Sequence, residues 1–120
     1  MTAKNFALVI EDDQDLSEIF TKALQTAGFE VEAIRDGAVA QQRLKETKPL
    51  VIVLDLHLPN VDGAALLNQI HSSDELDNAN IIITTADNVL AEMYRDKATI
   101  VMVKPVSFSQ LRDISARLKV

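Results

Sequence analysis

Residues 51–63, Val-Ile-Val-Leu-Asp-Leu-His-Leu-Pro-Asn-Val-Asp-Gly, constrain the fold more than any other stretch of the chain. Residues 51–54 are β-branched or aliphatic without interruption, the pattern of a strand buried on both faces. Asp55 follows at once. Pro59, Asn60, Asp62 and Gly63 then mark a turn and a helix start, with Asp62 as N-cap. One carboxylate therefore sits where a buried strand gives way to a loop. In a parallel α/β sheet that edge is where ligands bind. Taken alone, Asp55 fits a turn cap and a ligand site equally well.

The rest of the chain repeats the strand-then-helix pattern. Residues 6–10 form an apolar run ended by Glu11, Asp12 and Asp13. From Gln14 the period becomes helical, with Leu16, Ile19, Phe20, Ala23, Leu24 and Ala27 on one face and Gly28 as a left-handed stop. Residues 29–34 alternate as an edge strand with one partly wet face. Asp36 and Gly37 turn the chain into a helix over 38–47. A third helix runs over 62–72, with Ala65, Leu66 and Ile70 inward. An acidic polar loop over 73–80 leads to a β-branched strand over 81–85. A short helix over 88–97, a strand over 100–103 and a helix from Ser107 complete the chain. Ser107 and Gln110 have capping-box spacing, and Leu111, Ile114 and Leu118 make the apolar face of that last helix. Five strands alternating with five helices predict a flavodoxin-like, doubly wound, three-layer α/β/α fold. Right-handed crossovers to both sides of strand one give the parallel order 2-1-3-4-5.

Composition narrows the function. The chain has 120 residues, enough for one domain, and is 48% hydrophobic, enough for a real core. Its net charge of −6 argues against nonspecific nucleic-acid binding, which needs a basic surface. There is no cysteine, which excludes disulfides and thiolate metal sites, and His57 and His71 are the only histidines, too few for a histidine-based zinc site. The apolar run near the N-terminus is too short for a signal peptide or a membrane span. A cytoplasmic protein with no membrane contact is expected.

Four strand ends carry complementary chemistry. Glu11 and Asp12 follow strand one, Asp55 follows strand three, Thr85 ends strand four and Lys104 follows strand five. In the order 2-1-3-4-5 the crevice between strands one and three holds three carboxylates. These repel one another unless a cation or protons intervene. Oxygen ligands alone favour magnesium, with manganese possible. A metal held by two or three carboxylates keeps open positions that suit a phosphate oxygen, and a lysine with a threonine hydroxyl completes an anion site. Solvated helix caps explain Glu11 or Asp13 singly, but they do not explain all four strand ends together.

With these residues in place the chain resembles the receiver domain of two-component response regulators, chemotaxis-type in its strand order, over essentially all of residues 1–120. The resemblance rests on Glu11-Asp12, on Asp55 before Leu56-His57-Leu58-Pro59 and Asp62-Gly63, on Thr85-Ala86, and on Lys104-Pro105. It implies that Asp55 accepts a phosphoryl group from a sensor histidine kinase or a histidine phosphotransfer protein. It further implies a magnesium site using Glu11, Asp12, Asp55 and the backbone carbonyl of His57, with Glu11 reaching through water. Thr85 and Lys104 become the switch hydroxyl and the conserved cation, and the Lys104–Pro105 peptide bond is expected to be cis. The implied activity is a phosphorylation-dependent switch in partner binding. The protein would not be an enzyme beyond catalysing its own phosphorylation and dephosphorylation.

Two other functions fit parts of the pattern. A haloacid-dehalogenase-like phosphohydrolase would use Asp55 as a turnover nucleophile, but such enzymes carry a second aspartate where His57 stands, and no cap domain is present. A phosphorylation-independent docking module would not need the full acid, threonine and lysine set. The chain also departs from its family toward the output side. Lys97-Ala98 replaces a common Gly-Ala, Val101 replaces an aromatic three residues before the lysine, and Val106 replaces a phenylalanine. Thr99-Ile100 stands where winged-helix regulators carry an acidic pair. His57 is expected to be exposed beside the site and His71 to favour a helix C-terminus. Asp87 reads as a loop cap or an influence on attacking water, and Tyr94 as packing. The cognate kinase, the downstream effector and any output domain are not written in these residues.

Overall fold

A computed structural model describes residues 5–120. Residues 1–4, included in the expected domain, lie outside the described residues. Five strands form one parallel sheet in the order β2-β1-β3-β4-β5. They are β1 (Phe6–Ile10), β2 (Glu30–Ile34), β3 (Val51–Asp55), β4 (Asn80–Thr85) and β5 (Ile100–Val103). The helices are α1 (Gln14–Ala27), α2 (Gly37–Glu46), α3 (Gly63–His71), α4 (Asn88–Tyr94) and α5 (Phe108–Ala116). The expected fold class and strand order are both present.

The alternation of strand side chains divides the core into two layers. On one face Leu8, Ile10, Ile52, Leu54 and Ile83 pack with Ala40, Leu44, Leu66, Leu67 and Ile70 from α2 and α3, with Leu90 and Tyr94 of α4 at the margin. On the other, Ala7, Val9, Val51, Val53 and Ile82 pack with Phe20, Ala23, Leu24 and Leu111 from α1 and α5. β3 is buried along its whole length, as its unbroken apolar run requires. β2 is the expected edge strand, and its Glu32 is held by Arg43 of α2 at 2.7 Å and 2.8 Å.

The helix ends follow local chemistry. Asp13, Asp36, Asp62, Asp87 and Ser107 each cap the helix that follows by accepting backbone N–H groups. Ser107 and Gln110 close a full capping box. Gly28, at φ 108°, ends α1 in the left-handed region that favours glycine.

Several expectations need correction. Ile19 is 41% exposed rather than packed on the sheet. In α3 Leu67 is buried and Ala65 exposed, so the inward face is turned by a residue or two from the expected one. The polar stretch 73–80 contains a 3-10 turn, Asp74–Leu76, which buries Leu76. That single leucine explains why an otherwise acidic loop is fixed to the core. The helix over 88–97 is α-helical only to Tyr94 and continues as a 3-10 turn over Arg95–Lys97. Asp55 is the last residue of β3, inside the strand rather than just after it. Among the described residues no helix is long and apolar enough to cross a membrane.

Candidate functional site at the carboxyl edge of the sheet

β1 and β3 are hydrogen-bonded neighbours, so the residues at their carboxyl ends face one crevice. β2 and β3 lie on opposite sides of β1, and the gap left between the loops is the switch point of the sheet. Glu11, Asp12 and Asp55 each place a carboxylate oxygen within 4.8 Å of the other two. Glu11 and Asp55 are buried and Asp12 is half-buried.

Asp55 is held from both sides. Its Oδ1 accepts the backbone N–H of His57 at 3.0 Å. Its Oδ2 is 3.6 Å from Lys104 Nζ. The backbone after it is fixed by the Leu56 N–H, which donates to the Thr84 carbonyl at 3.2 Å. The Asp55 carboxylate is therefore oriented by its own strand end.

Glu11 is the stronger partner of the lysine. Lys104 Nζ donates to Glu11 Oε1 at 2.8 Å, while Glu11 Oε2 accepts the Asp13 N–H at 3.3 Å. Burial pushes the Glu11 carboxyl up from 4.5 to about 7; the Lys104 hydrogen bond opposes this, and Asp55 beside it reinforces it. For Lys104 burial pulls the other way, but the hydrogen bond to Glu11 and the charge of Asp55 prevail and hold the ammonium above its usual range. The raised Glu11 pKa and the Lys104 ammonium together relieve the crowding of negative charge.

The remaining site residues are where the sequence predicted them. Thr85 is fully buried at the end of β4, and its Oγ1 accepts the Asp87 N–H at 3.1 Å. The Lys104 N–H donates to the Thr85 carbonyl at 2.7 Å, which joins the two strand ends. The Lys104–Pro105 bond is cis. His57 is exposed at the rim, where it lines an open depression with Asp12, Leu58, Asn60 and Asp62. Asp87 caps α4 through the N–H groups of Val89 and Leu90, so it has the cap role. Tyr94 is half-buried against the core, in a packing role, with the Lys97 ammonium 5.6 Å from its ring centre.

Two supporting contacts escaped the sequence reading. Arg35 Nε donates to the Asp12 carbonyl at 3.0 Å and ties the acidic loop to the end of β2. Asn60 Nδ2 donates to Asp36 Oδ2 at 2.8 Å and links the loop after β3 to the cap of α2. Neither contact has a spacing signal, since each joins residues brought together only by the sheet.

Comparisons with known proteins agree with this geometry. Residues 7–116 match the family described as the response regulator receiver domain. The chain is 36% identical over 106 residues to the phosphate regulon transcriptional regulatory protein PhoB of Rhizobium meliloti (strain 1021), covering 86% of this chain and 47% of that protein. It is 29% identical over 123 residues to the probable methanogenesis regulatory protein FilR2 of Methanothrix harundinacea (strain 6Ac), covering 93% and 79%. It spans only 29% to 47% of the transcriptional regulatory proteins it matches. The bacteriophytochrome response regulator RtBRR superposes with a TM-score of 0.83 at 30% identity, covering 98% of this chain and 80% of that one. No relation to the chemotaxis regulators beyond the shared fold is established, since transcriptional regulators are equally among the relatives. The sheet order, the acidic crevice and the match over nearly the whole chain give one conclusion: this chain belongs to the response regulator receiver domain family, a signalling module of two-component phosphorelays and not a conventional enzyme.

Proposed function

We propose that Asp55 is the phosphoacceptor of this receiver. The observation that carries the reading is the Asp55 carboxylate itself, buried at the end of the central strand and braced between the His57 N–H and the Lys104 ammonium. Glu11 and Asp12 lie within reach of the same point. The donor set is all oxygen, without cysteine or histidine nitrogen, and it is too crowded with charge to stay fully ionised alone. That set fits magnesium, with manganese as a chemical equivalent. Glu11, Asp12, Asp55 and the His57 carbonyl would hold the ion. When bound, it screens the negative charges that keep a carboxylate and a phosphoryl group apart.

The chain's own residues then have distinct tasks. An Asp55 oxygen attacks phosphorus in line, forming a new O–P bond as the bond from phosphorus to the donor breaks. The leaving group is an imidazole nitrogen from a histidine kinase or phosphotransfer protein, or the acetate of a small donor. It departs with the electron pair; the imidazole takes a proton from solvent, and acetate leaves as the carboxylate. Lys104 leaves Glu11 and donates to a phosphoryl oxygen. Thr85 Oγ1 already accepts from Asp87, so its own proton is free to be donated to another phosphoryl oxygen. Positioning and charge neutralisation supply most of what such a transfer needs. The phosphorylated form would differ from the resting form in the loops at this edge, and a downstream partner would read that difference.

Incubation with acetyl phosphate and magnesium, followed by intact mass, tests the assignment. We expect one phosphoryl addition in the wild type and none in Asp55→Asn. A full addition in the variant sinks the assignment of Asp55. Repeated turnover of the donor without accumulation of the adduct would favour a hydrolase, and no adduct under any condition a pure docking module.

A further inference from the structure

The site contains a buried hydroxyl that the reading above leaves without a task. Thr84 is fully buried in β4, and its Oγ1 has no hydrogen-bond partner. The other two buried orphan hydroxyls among the described residues, Thr21 and Ser115, lie on α1 and α5. Thr84 alone lies in the sheet, and its register neighbours are Asp55 on β3 and Met102 on β5. Alternation along β4 sets it on the face of Ile82, and alternation along β3 sets Asp55 on the face of Val53. These two faces are the same one. Threonine at this place is therefore beside the acceptor, one strand over, and away from the side of the sheet that Thr85 occupies.

Lys104 connects the two. It follows β5, yet its Nζ reaches Glu11 beyond β1 at 2.8 Å and stands 3.6 Å from Asp55. The strand order places β4 and β3 between Lys104 and Glu11, so the lysine side chain spans the end of β4. The ammonium has three donors. Only one makes a hydrogen bond here, to Glu11, because 3.6 Å to Asp55 is beyond hydrogen-bond length. The ammonium has donors to spare, and the Thr84 hydroxyl, one strand over from Asp55, uses none of its capacity. A buried hydroxyl without a partner is unfavourable, so its presence calls for a state in which it is satisfied.

We infer that the Thr84 hydroxyl is a positioning group for Lys104, accepting a hydrogen bond from Nζ when the lysine swings from Glu11 to an anion on Asp55. The direction of that swing is from β1 back toward β3 and β4, which is toward Thr84. In the working position Nζ divides its donors between the anion and Thr84 Oγ1, and the hydroxyl holds the lysine there instead of letting it return to Glu11. The resting state keeps the hydroxyl unpartnered. This inference rests on Asp55 being the phosphoacceptor.

The test compares Thr84→Val, which keeps the shape and removes the hydroxyl, with Thr84→Ser, which keeps the hydroxyl. Thermal melting, the rate of phosphorylation by acetyl phosphate, and the Lys104 ammonium resonance with magnesium and beryllofluoride are measured for each. Removing an unpaired hydroxyl should leave melting unchanged or raised. Phosphorylation should slow about tenfold in Thr84→Val, the effect of one charge-assisted hydrogen bond. The beryllofluoride-loaded wild type and Thr84→Ser should show a slowly exchanging Lys104 ammonium, and Thr84→Val should lose it. Should Thr84→Val fail to fold, Thr84→Ala against Thr84→Ser carries the same comparison. Wild-type rate and a wild-type Lys104 resonance in Thr84→Val overturn the inference, as does a Thr84→Ser as slow as Thr84→Val. A wild type that takes up no phosphoryl group overturns the reading of Asp55 and this inference with it, whereas a wild type that is phosphorylated while Thr84→Val matches it removes the inference alone.

Discussion

Lys104 Nζ stands 2.8 Å from Glu11 Oε1 and 3.6 Å from Asp55 Oδ2, so the lysine is hydrogen-bonded to Glu11 and only near Asp55. Its reach spans the ends of β4 and β3. The lysine is the one cation beside Glu11 and Asp55 among the described salt bridges. On the proposed reading of Asp55, Glu11 and a phosphoryl group would compete for that one ammonium.

Removing that ammonium should be felt first as instability. Lys104→Met keeps much of the stem and leaves Glu11 and Asp55 buried without a counter-charge. We expect a loss of about 3–5 kcal/mol at pH 8, the range for breaking a buried pair from one side. At pH 5 Glu11 is protonated in the fold, because its pKa is about 7. The loss should then be much smaller. Urea unfolding at the two pH values checks this, and equal losses at both would contradict it.

The raised Glu11 pKa also predicts the sign of a pH effect in the metal-free protein. The folded value, about 7, lies above the ordinary value of 4.5. The group's contribution to stability is therefore fully present below about pH 4.5 and is lost as pH rises through about 7. Melting temperature should fall relative to Glu11→Gln between pH 5 and 8. Asp36 and Glu32, whose carboxyls are lowered by capping N–H groups and by Arg43, titrate at more acid pH and cancel in the comparison. Magnesium should bind more tightly across the same interval, since it competes with the Glu11 proton. A pH-independent magnesium affinity would count against Glu11 as part of the site.

Gly63 guards the backbone on which the expected metal carbonyl depends. A Cβ there would lie 2.6 Å from the Leu56 Cα and from its carbonyl oxygen. Both atoms are main chain and cannot rotate away, so the loop through Leu56 and His57 must shift. Gly63→Ala should destabilise by about 1–3 kcal/mol, an overpacking effect. It should also weaken magnesium binding more than its stability loss explains. Gly37→Ala, whose Cβ would meet Val61 instead, is the control. An equal effect of both on magnesium would remove the link to the His57 carbonyl.

The sequence made the strand ends legible and the side-to-side contacts opaque. Val51 to Asp55 could be read because a run buried on both faces has a composition nothing else imitates. Asp62, Ser107 and Gly28 could be read because caps are local chemistry. Ile19 and Ala65 were misplaced because both sit at the margin of an apolar stripe, where a small rotation of the helix decides burial and periodicity does not. The Arg35 contact to Asp12 and the partnerless hydroxyl of Thr84 had no signal at all. A threonine in a strand is an ordinary β-former, and only register with Asp55 gives it meaning.

The last prediction concerns how a change at Asp55 leaves the site. The resemblance that identifies Thr85 as the switch hydroxyl usually pairs it with an aromatic on β5, and here that place is Val101. Val101 is half-buried at the margin of the same core layer as Leu90 and Tyr94, and its β-branched side chain has few rotamers to relocate. A ring swing from that position is excluded by composition. The neighbouring segment is better suited to move. α4 has seven residues, of which Ala91 alone is buried, while Val89 and Met93 are 69% and 60% exposed. It is held to the site by the Asp87 N–H on Thr85 Oγ1 and by the Asp87 cap on Val89 and Leu90. When Thr85 Oγ1 moves to donate to a phosphoryl oxygen, the Asp87 N–H that it accepts is drawn with it, and the start of α4 is pulled. Segments with few buried anchors move at modest cost. We therefore expect coupling through residues 86–89 and α4, changing a partner surface that includes Tyr94, Arg95, Arg112 and Arg117. Amide shifts with and without beryllofluoride, in wild type and in Thr85→Ala, measure it. Large shifts across residues 86–97 that vanish in Thr85→Ala are the expected result. Shifts confined to residues touching the anion would mean that the protein barely changes shape and signals through local charge alone.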